Sequence, residues 1–211
     1  MKKIIFVGIL SILFASASFA QTPKIGLTAG LNTSNIRASS GNYSETGDYK
    51  AGFQVGVVAD FGITEKFSII PELLFSQRGT KGKDDSGELE DFNNASLTFN
   101  YLQLPINAAY KFDVGNDSKV FVFAGPYIGY ALSGKATLGN GSASISGDLP
   151  FGSGEDEYKR LDAGVNIGVG YQYDKIFFKL QYNQGLTNIM NITGASVKNM
   201  NFAVSVGYYF F

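Results

Sequence analysis

Residues 199–211, NMNFAVSVGYYFF, alternate strictly between apolar and polar positions. Phe202, Val204, Val206, Tyr208 and Phe210 share one face, and Asn201, Ala203, Ser205 and Gly207 share the other. Such a period of two marks a β-strand with one apolar and one polar side. A strand this apolar invites aggregation when its edge is left open. It needs a partner on both sides, and the first strand of the chain is the candidate for the far one. The sheet is therefore expected to close on itself.

The same alternation recurs along the chain. Strands are expected over residues 24–32, 49–61, 66–78, 95–112, 119–132, 160–173 and 176–187, with the terminal segment as the eighth. Pro71 falls inside the third strand and predicts a bulge or a missing ladder bond there. The fifth strand has apolar residues in both phases. The connections alternate long, short, long, short, long, short, long, with polar stretches over 33–48, 79–94, 133–159 and 188–198 as the long loops. Short turns at one end and long loops at the other are the habit of membrane barrels. The fold expected is all-β: an eight-stranded antiparallel up-and-down transmembrane β-barrel, with both termini periplasmic and the long loops extracellular.

The amino-terminal residues agree with export. Lys2 and Lys3 precede an apolar run over 4–14 and a small-x-small site ending at Ala20. This reads as a signal peptide over residues 1–20, cleaved before Gln21, with the barrel domain over 21–211. The rest of the chain holds no apolar run long enough for a membrane helix. With no cysteine, an exported chain forms no disulfides. Without Lys2 and Lys3, 15 basic residues face 18 acidic ones, which argues against nucleic acid as a partner.

The polar phase decides which face points inward. It carries Gly26, Gly30, Gly56, Gly164, Gly168, Gly170 and Gly207 together with Gln103, Asn166 and Gln181. Small and amide residues suit a narrow interior, and a soluble exterior would carry more charge. Glu72, Arg78, Asp162 and Lys179 lie in this phase and are expected to form an interior polar cluster, the acids pairing with the bases. The competing arrangement is a soluble periplasmic lipocalin-like barrel with the apolar phase inward, binding a small apolar ligand. Phe61, Phe67, Tyr110, Phe112, Phe121, Tyr171, Tyr173, Phe177 and residues 208–211 collect at the short-turn end as an aromatic girdle.

The segments YLQLP (101–105), PELLFSQRG (71–79), QYNQGLTNI (181–189) and VGYYF (206–210) resemble the outer-membrane β-barrel domain of Bacteroidetes, the porin family or PorT-like group. The resemblance covers the mature chain and implies outer-membrane lipid and the barrel-assembly machinery as partners. Its PorT-like side implies an accessory of a secretion complex. The ending is similar to the aromatic assembly signal of such proteins, with Tyr208, Phe210 and Phe211 as the residues concerned.

The chemistry of the chain is defined mainly by exclusions. Without histidine or cysteine, His-dependent catalysis, thiol nucleophiles and His or thiolate metal sites are ruled out. No enzyme activity and no cofactor are expected. Glu155, Asp156 and Glu157 are weak loop candidates for a metal, and Asp84, Asp85, Glu88, Glu90 and Asp91 form a second acidic loop group. Eight strands enclose room only for their own side chains, so a pore is not implied. What remains is a small structural or adhesive outer-membrane protein, or a secretion accessory, acting through its loops.

Overall fold

The computed structural model describes residues 22–41, 43–82, 94–140 and 143–210. The signal peptide with Ala20 and Gln21, the acids Asp84, Asp85, Glu88, Glu90 and Asp91, and Phe211 lie outside the described residues. The strands are β1 (Lys24–Ser40), β2 (Tyr43–Thr46), β3 (Asp48–Gly62), β4 (Phe67–Gly82), β5 (Asn94–Gly115), β6 (Ser118–Asn140), β7 (Ala143–Asp148), β8 (Leu161–Tyr173), β9 (Ile176–Gly185) and β10 (Ala195–Tyr209).

Eight of them form the ring β1-β3-β4-β5-β6-β8-β9-β10, every pairing antiparallel. The last strand meets the first without a break in register, from Gly26↔Tyr209 to Ser40↔Ala195. The closure expected from the terminal alternation is thus made. The apolar phase points outward: Leu31 is 73% exposed while Gln54 on the neighbouring strand is 2% exposed. A lipocalin-like barrel would need the opposite arrangement.

Two of the long polar stretches are not plain loops. β1 continues to Ser40 and folds back as β2, and β6 runs for 23 residues before folding back as β7. A tilted strand crosses a bilayer in about 9–11 residues, so these ribbons project well past the apolar belt. Their Ser, Thr and Gly residues lack the apolar alternation that marks a membrane segment, yet they pair as strands once ladder bonds are available. The short ends are tight. At the β5–β6 hairpin Asn116 (φ 36°) and Asp117 (φ 60°) are both left-handed, as a two-residue turn of that hand requires.

At Pro71 the β3–β4 ladder holds its register but skips from Val58↔Glu72 to Phe61↔Ile69, while the β4–β5 ladder keeps the pair Pro71↔Ile106 and skips to Leu74↔Gln103 where Pro105 comes opposite Glu72. That is the ladder gap expected of a proline without a donor. In the ambiguous β6 Phe121, Phe123 and Tyr127 are buried, while Val120, Val122, Ile128 and Tyr130 face out. The girdle expectation therefore needs correction at Phe121, Phe177 and Tyr209, which turn into the barrel. Phe67, Tyr110, Phe112, Tyr171, Tyr173, Tyr208 and Phe210 stay on the outer wall.

Candidate functional site

The barrel interior is built in layers. At the short-turn end Val58, Ile70, Ala109, Phe121, Phe123, Phe177 and Tyr209 form one apolar cluster. These rings find room because glycines face them across the strand pairs. Phe121 is opposite Gly170, Phe123 opposite Gly168 and Phe177 opposite Gly207. Below this plug Lys111 is ion-paired with Asp60, a buried pair that the sequence pattern did not single out. Both residues sit in the inward phase, and that phase was the available signal.

Above the plug lies a polar layer. Lys179 Nζ donates to both carboxylate oxygens of Glu72, each at 2.6 Å, and both side chains are almost fully buried. The ammonium also stands 5.8 Å from the Phe123 ring centroid and 5.6 Å from that of Phe177. Amides fill the remaining space: Gln54 donates to Ser205 Oγ at 2.9 Å and Asn166 to Asn107 Oδ1 at 3.2 Å.

Arg78 and Asp162 belong to the next layer, but they do not pair with each other. They share Tyr127 instead. The Arg78 guanidinium lies 5.6 Å from its ring centroid, and its hydroxyl donates to Asp162 Oδ2 at 3.2 Å. Arg78 also donates to Gln103 Oε1, and to Ser76 Oγ at 3.1 Å. Asp162 accepts two more bonds, from Thr187 at 3.1 Å and from Asn199 at 3.0 Å, and Asn199 also donates to Tyr101 at 3.2 Å. Of the four residues expected to cluster, one acid–base pair forms as an ion pair. The second acid is instead held by the uncharged donors Tyr127, Thr187 and Asn199, which charge counting alone does not reveal.

At the opposite end Ile36, Phe99, Tyr101, Ala131, Ile189 and Val197 form a second apolar cluster. Leu149, Phe151, Tyr158, Met190 and Ile192 pack on it from the β7–β8 and β9–β10 connections. Those connections are bonded to each other, Lys159 N–H to Ile189 O at 2.8 Å and Asn191 N–H to Glu157 O at 2.9 Å. Burial raises the Tyr158 phenol pKa here. Arg160 fastens the cap: its guanidinium lies 4.5 Å from the Phe151 ring centroid and donates to Ala131 O at 2.9 Å. Apolar side chains thus close both ends of the polar interior.

The acidic triplet in this cap does not converge. Glu157 turns back to accept the Gly154 N–H at 2.7 Å, and Glu155 lines a separate shallow cleft with Lys159 and Asn191. Among the described residues no group of three acidic, histidine or cysteine side chains could hold a metal ion.

The chain can now be set beside known proteins. No curated protein matches it significantly. Among solved structures it is similar to the outer membrane protein OprG of Pseudomonas aeruginosa, at 11% identity over 90% of this chain and 97% of that one, with a TM-score of 0.49. It is also similar to the attachment invasion locus protein Ail of Yersinia pestis, at 14% identity over 90% of this chain and all of that one, with a TM-score of 0.43. A family model described as outer membrane protein beta-barrel domain matches residues 19–191. The closed ring, the outward apolar phase and this match agree: the chain belongs to the outer membrane protein β-barrel domain family.

Proposed function

We propose that this protein is a non-enzymatic outer-membrane scaffold, closed to solutes, that acts by presenting its projecting ribbons to protein partners. The reading places both termini in the periplasm and the β1–β2 and β6–β7 ribbons outside the cell. The observation that carries it is the contrast between interior and edge. The lumen is filled and capped at both ends, whereas among the described residues β7 pairs with β6 alone and leaves its other edge open. An exposed strand edge is a template for adding a strand from another chain. The Phe210 end serves as the assembly signal for the barrel machinery in this reading.

An adhesive role fits this arrangement better than a secretion accessory of the PorT-like kind, because the free edge lies at the ribbon end. Two measurements test the proposal. Folded protein in planar bilayers should give no steady conductance. Cells carrying a chain with residues 136–147 removed should adhere less than cells carrying the full chain, at equal surface levels. Regular conductance steps would overturn the closed scaffold, and unchanged adhesion would overturn the ribbon's role.

A further inference from the structure

On the outer wall of β4, β5 and β6 the apolar belt stops at a defined height. Phe75 and Leu102, paired in register, are its last members on β4 and β5. The next outward step is an amide row. Gln77 Nε2 donates to Asn100 Oδ1 at 3.2 Å, and Asn100 Nδ2 donates to Ser133 Oγ at 2.9 Å. Beyond it stand lysines. Lys81 is in register with Ser96, and Lys135 with Thr98. Lys50 runs across Gly79, where an added Cβ would lie 3.1 Å from its Cδ, and donates to Ser96 Oγ at 3.1 Å. Further round the wall, Arg37 on β1 lies directly opposite Lys198 on β10.

We propose that this outer-wall row binds the phosphate groups of the membrane's own lipids, with a phosphorylated outer-leaflet glycolipid as the occupant. The proposal rests on the orientation given above. Three arguments carry it. The first is depth: the row begins one step beyond the amide belt, where acyl chains end and headgroups start. The second is charge. Among the described residues five bases, Lys50, Lys81, Lys135, Arg37 and Lys198, stand near two acids, Asp48 opposite Lys81 and Asp148 opposite Lys135, and neither acid forms an ion pair with its lysine. The third is cost. Like charges directly opposite each other weaken a strand pair, and Arg37 and Lys198 are so placed. Lys50 shows the same tension beyond the belt, where burial and then the Lys81 charge lower its ammonium pKa. An anion between these bases relieves both pairs, and the planar Arg37 fork suits a phosphate.

The test uses the folded full-length protein in phosphatidylcholine nanodiscs doped with either diphosphorylated lipid A or phosphatidylglycerol. Native mass spectrometry then counts the lipid retained by the wild type and by the Lys50→Gln/Lys81→Gln/Lys135→Gln variant. The wild type is expected to keep lipid A over phosphatidylglycerol, and the variant to keep severalfold less of it. A second variant, Arg37→Gln/Lys198→Gln, should unfold at higher urea than the wild type in vesicles lacking anionic lipid and gain less from added lipid A. Equal lipid A retention by wild type and variant overturns the site. Equal retention of the two lipids overturns the glycolipid assignment, and displacement by soluble heparin reassigns the row to extracellular polyanions. The cold-versus-boiled gel shift of the same samples reports the barrel separately, so a lost shift counts against the membrane-barrel reading and a retained shift with unchanged lipid counts against this one.

Discussion

The ring of Phe177 occupies the space that a side chain at Gly207 would need. The two are paired across β9 and β10, and a Cβ added at Gly207 would meet Phe177 Cζ at 2.0 Å. Gly170 and Phe121 repeat the arrangement at 2.1 Å. Gly207→Ala should therefore cost about 1–3 kcal/mol, the range for overpacking a filled interior. Combining it with Phe177→Leu should recover part of that loss. Urea unfolding of the refolded barrel in lipid vesicles reads both changes, and additive losses would show that the two residues do not share this space.

The Lys179–Glu72 pair sits in an interior that lipid and packed side chains separate from bulk water. Removing one partner leaves a buried charge without compensation, at about 3–5 kcal/mol. Lys179→Met should thus destabilise the barrel strongly, whereas Lys179→Met with Glu72→Leu should come close to the wild type. The same vesicle titration decides between them. A single variant as stable as the wild type would mean that water reaches Glu72, contrary to the plugged interior.

The outer wall was legible in the sequence because lipid imposes a single requirement on it, apolarity at every second residue. That requirement reveals the strands, their phase and the closure of the last strand onto β1. The interior obeys no such simple rule. Phe121 and Phe177 are in the inward phase, but their bulk reads as girdle until the glycines opposite them on other strands are known. Asp162 looks like an ion-pair member because its donors, Tyr127, Thr187 and Asn199, are neutral and distant in sequence. The ribbons were missed for the opposite reason. Beyond the membrane nothing enforces apolar alternation, and 33–40 and 133–148 read as loop.

Arg160 holds the cap through the rings of Phe151 and Tyr130 and the carbonyls of Ala131 and Leu132. A cation over an aromatic ring is worth about 0.5–2 kcal/mol, too little to matter for the barrel but enough to loosen a connection. Arg160→Ala should speed proteolytic cleavage within residues 149–158 while the gel shift of the folded barrel is kept. Arg160→Lys, which keeps charge but not the planar stack, should fall between. Unchanged cleavage in Arg160→Ala would mean that Phe151 and Tyr158 hold the cap by packing alone.

The free edge of β7 can be tested one donor at a time. Leu149 N–H bonds to Gly134 O at 2.9 Å, which fixes the alternation along the ribbon. Gly147 and Ile145 then bond inward to β6, and the main-chain groups of Ser144, Ser146 and Asp148 point to the open side. Proline lacks an N–H and is tolerated where that group faces solvent at an edge. Ser146→Pro should therefore leave the β6–β7 ladder and the barrel intact while removing one donor from the open edge. Ile145→Pro removes a ladder bond and should unravel the ribbon. If strand addition at this edge underlies adhesion, both variants lose adhesion, but only Ile145→Pro becomes sensitive to protease within residues 143–148. Adhesion kept by Ser146→Pro and lost by Ile145→Pro would place the contact on the side chains of the ribbon rather than on its backbone edge.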